Sequence, residues 1–263
     1  CTATYPTGHP NRPLRVGLVS PDFWTHSVSN FLIGPLRHHN SAQVHITCYS
    51  DTYLQDDTTK LVKKFSDAWR DIKTLDDKAV SKKIKSDKID ILIDLAGHTG
   101  NNRLTVFANR AAPLQINWLG YPATTGLTQM DYRLTDNVAD PPGTTEQFHS
   151  EVLVHMEPCF LCYAPPKTLP AIENQSRSIT FGSFNNYTKL TDDTICLWAR
   201  LMNKIPESRL VLKSRQVIDR EVSQNIIKLL EKNGVGQNRV DLVGRIGSRH
   251  DHLAFYNKID IAL

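Results

Sequence analysis

No apolar run in the 263 residues approaches the ~20 that a membrane-spanning helix needs. The amino terminus, residues 1–13, is polar and Pro-containing, without the charged start and apolar stretch of a secretory signal, so the chain reads as soluble and unsecreted. Cysteine is sparse and odd in number: Cys1, Cys48, Cys159, Cys162 and Cys196 argue against a disulfide framework and predict free thiols in a reducing compartment. Cys159-Phe-Leu-Cys162 has no second CxxC to complete a four-ligand zinc site, and its apolar setting predicts a buried strand. The glycine fingerprints GxGxxG and GxxxxGK[ST] are both absent, and Gly244-Arg-Ile-Gly247 is too sparse to replace them, which disfavours hydride transfer and P-loop hydrolysis. No Cys, His or carboxylate cluster has metal-ligand spacing, so no metal and no cofactor is expected. The charge balance is nearly even, 31 Lys plus Arg against 27 Asp plus Glu. The Lys-rich run 78–88 alternates with Asp and Ser and lacks interleaved aromatics, the pattern of a solvated helix face and not of a nucleic-acid surface. Sequons at Asn174 and Asn186 carry no meaning without a signal peptide.

What is present is alternation. Residues 14–19 (LRVGLV) read as a buried strand, 28–39 as a helix that Pro35 should kink or end, and 44–49 as a second strand. Two helices follow near 57–69 and 76–87, then a strand at 89–96, a short helix at 103–111 and a strand at 114–119. This is the signature of a parallel sheet covered by helices on both faces. From Asp131 to about residue 170 the pattern loosens into turns and Pro-containing linker. A second series then begins: strands at 179–184, 209–213, 239–243 and 259–263, with helices at 191–205, 217–233 and 249–257. Thr191 as N-cap, Asp192 and Asp193 in the first turn and Pro206 beyond the end mark the first of these helices. Gly234 closes the next. The predicted organisation is an N-terminal extension (1–13), a first α/β lobe (14–170) and a partial second lobe (171–263). Because the chain stops at Leu263 on an apparent strand, it reads as a fragment of a longer protein, expected to be inactive or nearly so alone.

Three polar loops of the first lobe follow the carboxyl ends of strands and so share one sheet edge: residues 21–27 with His26, 97–102 with His98, and 120–126. Either histidine could serve as base or hydrogen-bond donor, or merely pin its loop by bonding backbone. In the second lobe, strand ITFGSF runs into Asn185-Asn186-Tyr187-Thr188-Lys189 just before the Thr191-capped helix. A helix amino terminus with an adjacent lysine suits a nucleotide diphosphate, with an ordinary strand-to-helix loop as the alternative. Lys213 ends the next strand on the same edge.

Taken in order, the runs LRVGLVSPDFWTHSVSNFL (14–32), WRDI (69–72), IDILIDLAGHTGNNRL (89–104), APLQINWLGYPATTGLTQMDYRLTD (112–136), ADPPG (139–143), CFLCYAPP (159–166) and ITFGSFNNYTKLT (179–191) resemble the catalytic region of the O-GlcNAc transferase and SPINDLY family of glycosyltransferases. HSVS, GHTGNN and FNN are closer in form to the SPINDLY-like branch. The resemblance implies a GT-B fold of two Rossmann-like lobes, and inverting, metal-independent transfer of a sugar to Ser or Thr hydroxyls of intracellular proteins. It matches His26 to the family's active-site histidine, and Asn186 and Lys189 to donor-binding residues, Lys189 stabilising the leaving diphosphate. His98, Asp67 and Arg70 are further catalytic candidates, and Lys213 a further donor-binding one.

The implied donor is UDP-GlcNAc, with GDP-fucose as the alternative used by some SPINDLY-like members. Implied partners are acceptor proteins and upstream tetratricopeptide-type repeats in the full-length chain, with neither nucleic acid nor membrane. The implied location is the cytoplasm, or also the nucleus in a eukaryote. Two other readings stay open: a catalytically inactive nucleotide-binding module, and a GT-B enzyme acting on lipid or small glycans.

Overall fold

The computed structural model describes residues 12–166, 168–173 and 178–263. Cys1, the Asn174 sequon and nearly all of the expected N-terminal extension lie outside them. The chain divides into two compact units, Cys1–Pro165 and Pro166–Leu263, at the Pro-Pro pair of the linker.

The first unit is built on β1 (Leu14–Ser20), β2 (Val44–Ser50), β3 (Ala68–Asp71), β4 (Ile91–Asp94), β5 (Leu114–Asn117), β6 (Tyr132–Thr135) and β7 (Val152–His155). They form one wholly parallel sheet in the order β3-β2-β1-β4-β5-β6-β7. Helices α1 (Ser27–His38), α2 (Asp57–Phe65), α3 (Asp77–Ser86) and α4 (Leu104–Ala108) make the crossovers. With both faces covered, β1 is buried almost continuously from Val16 onward, which is why its sequence shows no alternation. One face packs Val19, Tyr49, Leu92 and Phe107 against Val80 and Ile84 of α3. The other packs Val16, Leu18, Ile46 and Cys48 against Leu32 and Leu36 of α1 and Val62 of α2. Lys78, Lys82 and Lys85 stay on the exposed side of α3.

The second unit repeats the plan with β8 (Thr180–Ser183), α5 (Asp192–Lys204), β9 (Arg209–Lys213), α6 (Arg220–Lys232), β10 (Val240–Val243), α7 (Arg249–Ala254) and β11 (Ile261–Ala262). Its parallel strands run β10-β9-β8-β11. Phe181, Leu210 and Leu212 meet Ile195, Trp198 and Met202 of α5 and Ile226 and Leu230 of α6 in a core separate from those of the first unit. Thr191 caps α5 through Thr194 N–H, and Gly234 follows α6 at φ +85°.

Several elements differ from the sequence reading. α1 continues through Pro35 for another turn, to His38. The helix expected to reach residue 69 stops at Phe65, and Ala68–Asp71 is instead the outermost strand, β3. The loosened stretch contains β6 and β7. Its apolar signature is broken because Arg133 and Thr135 point inward and bond the buried carboxylate of Asp140. The CFLC segment is an exposed loop and not a buried strand: Cys159 and Cys162 are both exposed free thiols. The last predicted helix breaks after Ala254 into a 3-10 turn, Phe255–Lys258. No helix among the described residues is long and apolar enough to cross a membrane.

Candidate active site

Both sheets reverse their direction of strand addition once, the first between β1 and β4 and the second between β8 and β11. Ligands of open parallel sheets bind outside the carboxyl ends of the strands at such points. The loop after β1 carries His26, the loop after β4 carries His98, and the loop after β8 carries Asn186 and Lys189.

His26 is the N-cap of α1, its Nδ1 accepting from Val28 N–H at 3.4 Å. A neutral ring in this pose carries its proton on Nε2 and offers a donor. Asp22 of the same loop lies 3.6 Å away, its pKa raised by burial, which outweighs the lowering effects of His26 and Trp24. The rings of His26 and Trp24 are 5.6 Å apart. His98 is bound the opposite way. Its Nε2–H donates to the carbonyl of Thr125 at 2.9 Å, and a carbonyl only accepts, so the neutral ring keeps its lone pair on Nδ1. Tyr121 meets this ring edge-on at 5.3 Å.

The backbone beneath His98 is fixed by Asp94, the last residue of β4. Its fully buried carboxylate accepts from Ala96 N–H, Gly97 N–H and Asn117 Nδ2 at 3.1, 2.8 and 2.9 Å. Burial raises its pKa. The loops after β4 and β5 nest closely enough that only glycine fits at two positions. A Cβ on Gly97, at φ +58°, would lie 2.4 Å from Cβ of Tyr121, and one on Gly120 would lie 2.0 Å from the carbonyl oxygen of Leu95.

Asp67 and Arg70 lie at the outermost strand and not at the switch point. Asp67 immediately precedes β3, on the opposite edge of the sheet, and accepts from Ile46 N–H, His39 and Ser41 at 2.7, 3.0 and 3.0 Å. Burial would raise its pKa, but these hydrogen bonds prevail and lower it. Arg70 donates to Asp87 at 3.2 Å, sharing one carboxylate oxygen with the Tyr49 hydroxyl. Two strands separate β3 from β4. Asp67 thus ties β2 to the start of β3, and Arg70 ties β3 to the end of α3.

In the second unit Asn186 caps a 3-10 turn, Tyr187–Lys189. Its Oδ1 accepts from Thr188 N–H at 3.3 Å and Gln216 Nε2 at 3.0 Å. Lys189 is exposed and has no carboxylate partner among the described residues. The amino end of α5 offers an anion less than the sequence suggests, because Thr191 already accepts from Thr194 N–H and Asp192 and Asp193 occupy the first turn. Positive charge at this edge comes from side chains instead. Lys213, at the carboxyl end of β9, is 7% exposed. Its ammonium donates to Nδ1 of His252 and lies 4.6 Å from the ring centroid of Phe184. Burial lowers the pKa of Lys213; burial and then the charges of Lys213 and Arg249 lower that of His252. Asp22 and His252 were missed by sequence reasoning; the available signal was their position in loops or helices that follow strands β1 and β10. No group of three or more His, Cys, Asp or Glu suited to a metal ion occurs among the described residues.

Two parallel sheets of this order, each with polar loops at its switch point, define an α/β protein of the GT-B glycosyltransferase type. A point mutant of the Thermobaculum terrenum O-GlcNAc transferase superimposes with a TM-score of 0.92 at 35% identity, covering 96% of this chain and 48% of that one. The lipopolysaccharide outer core galactosyltransferase WaaB shares the fold alone, with a TM-score of 0.54 at 12% identity over 94% of this chain and 72% of that one. The profile of glycosyl transferase family 41 matches residues 3–177, and the chain belongs to that family. A probable UDP-N-acetylglucosamine--peptide N-acetylglucosaminyltransferase SPINDLY from Arabidopsis thaliana is 43% identical over 97% of this chain. The chain spans 29% of that relative's length.

Proposed function

We propose that the protein carrying this chain is an inverting glycosyltransferase that moves GlcNAc from UDP-GlcNAc to Ser and Thr hydroxyls of intracellular proteins. The observation that carries the reading is Lys189: an exposed cation without a carboxylate partner among the described residues, at the switch point of the second sheet, beside Asn186. The names of the relatives supply the donor, since both the Arabidopsis and the Thermobaculum proteins are described as GlcNAc transferases.

In the proposed reaction the acceptor hydroxyl attacks the anomeric carbon from the face opposite the diphosphate. The bond from that carbon to the diphosphate oxygen breaks, its electron pair leaves with the nucleotide, and the hydroxyl proton passes to the departing diphosphate, directly or through water. Lys189 meets the charge that develops on the leaving oxygen, with Lys213 as a second positive group on the same sheet edge. His26 presents a donor and His98 a lone pair to whatever the first unit binds. No metal is required for these roles.

The test uses the whole protein with UDP-GlcNAc or GDP-fucose, a Ser/Thr-rich protein mixture, and intact-mass readout, with Lys189→Ala as control. A Lys189-dependent N-acetylhexosamine adduct is the expected result. A deoxyhexose adduct moves the reading to protein O-fucosylation with the same residues. No adduct from either donor overturns it in favour of an inactive nucleotide-binding module or a non-protein acceptor.

A further inference from the structure

Glu151, the residue before β7, is a carboxylate only 5% exposed, and it has no cationic partner among the described residues. Such a group is costly to bury unless several donors converge on it. Three do, all from one turn of the loop after β5. Thr125 N–H and the Thr124 hydroxyl each donate at 2.7 Å, and the Thr125 hydroxyl donates as well. Burial works against ionisation here, yet these hydrogen bonds prevail and hold the pKa of Glu151 low, so the clamp is anionic at neutral pH. The Thr124 oxygen also accepts from Gly126 N–H and Ser150 N–H, at 3.0 and 3.2 Å, which closes the turn on the strand side.

The turn held this way ends in the Thr125 carbonyl, and that carbonyl is the acceptor for Nε2–H of His98. Thr125 is itself 3% exposed, so its peptide has little room to rotate. On the other side of the ring, Asp94 fixes the Gly97 amide. Nδ1 of His98 has no hydrogen-bond partner among the described residues. A turn that served only to close a surface loop would not require a buried anion with three donors; an isolated histidine in water exchanges freely between its two tautomers.

We propose that Glu151 is a positioning residue: by clamping Thr124 and Thr125 it keeps a carbonyl on Nε2 of His98, and so holds His98 as the tautomer whose Nδ1 lone pair is open. The further step, that this lone pair faces a donor group of bound substrate, rests on the functional reading above. The tautomer itself does not.

The test is long-range 1H–15N correlation on the 263-residue chain labelled at the histidine ring nitrogens, at mildly alkaline pH, with the His98 signals assigned by their loss in His98→Gln. The wild-type ring is expected to show a protonated Nε2 and a bare Nδ1. Glu151→Gln should release the turn and give averaged shifts of mixed tautomers. Thr124→Val removes one of the three donors and is expected to give a smaller shift in the same direction, which keeps the test decisive if Glu151→Gln does not fold. A proton on Nδ1 in the wild type, or an unmixed Nε2–H ring in every variant that folds, overturns the proposal. Because the readout needs neither donor nor acceptor, it stands or falls separately from transferase activity.

Discussion

The ammonium of Lys213 donates to Nδ1 of His252 at a sheet edge where, among the described residues, neither side chain has a carboxylate to pair with. Such a contact requires a neutral imidazole, and burial together with the charges of Lys213 and Arg249 holds the pKa of His252 below the ordinary value of 6.5. The folded state therefore binds fewer protons than the unfolded one just below that value, so stability rises with pH there and is lost as pH falls.

The expected outcome is a melting temperature that falls as pH is lowered from neutral through about 6.5 and below, with a slope that His252→Gln flattens. Thermal melts of both proteins across that range check it. Parallel pH dependences would show that the Lys213–His252 contact contributes nothing to the acid sensitivity.

Gly120→Ala is expected to be among the most damaging single substitutions. The added Cβ would lie 2.0 Å from the Leu95 carbonyl oxygen and 2.9 Å from Cα of Ala96, both backbone atoms that no side-chain rotation moves aside. Overpacking of this kind costs about 3 kcal/mol or more. Gly100→Ala, where a Cβ meets nothing within 4 Å, is the control. Urea titration of the two variants measures the difference; equal midpoints would contradict the close approach of the loops.

The thiols should separate by accessibility. Cys48 is fully buried, and burial pushes its pKa up to about 12, whereas Cys159 and Cys162 are exposed. Brief alkylation of the folded chain followed by peptide mass mapping should modify Cys159 and Cys162 and spare Cys48 until denaturant is added. Early labelling of Cys48, or protection of the other two, would count against this arrangement.

The parts of the fold legible in the sequence were those where one local signal agreed with the next. In α5, Thr191 caps the start, the apolar spacing of Ile195, Trp198 and Met202 sets the buried face, and Pro206 follows the end. The strands absent from the sequence reading, β3, β6 and β7, are four residues each, and β6 is polar inside. Arg133 and Thr135 of β6 are buried because Asp140 satisfies them, and nothing local in the sequence announces a partner several residues downstream. The exposed CFLC loop misled for the opposite reason, since an apolar run with cysteines reads as core when its tertiary position is unknown.

The candidate site divides along the same line. His26, His98, Asn186 and Lys189 could be found because alternation of strands and helices fixes which loops share an edge. Glu151 could not, because it acts on the backbone of a loop that another strand supplies, and Asp94 could not, because its bonds to the next loop residues look like an ordinary strand end. Asp67 and Arg70 were candidates through the family resemblance alone, and the unrecognised β3 places them beside Ile46 and Asp87, with which they hydrogen-bond.

The separate cores of the two units have an evolutionary corollary. Among the described residues, each buried cluster is drawn from one unit alone. The roles proposed for Lys189 and for His26 and His98 therefore rest on separately packed cores, which can accumulate substitutions at different rates. Chimaeras exchanged at the Pro165–Pro166 junction offer a direct way to sort which half dictates which preference.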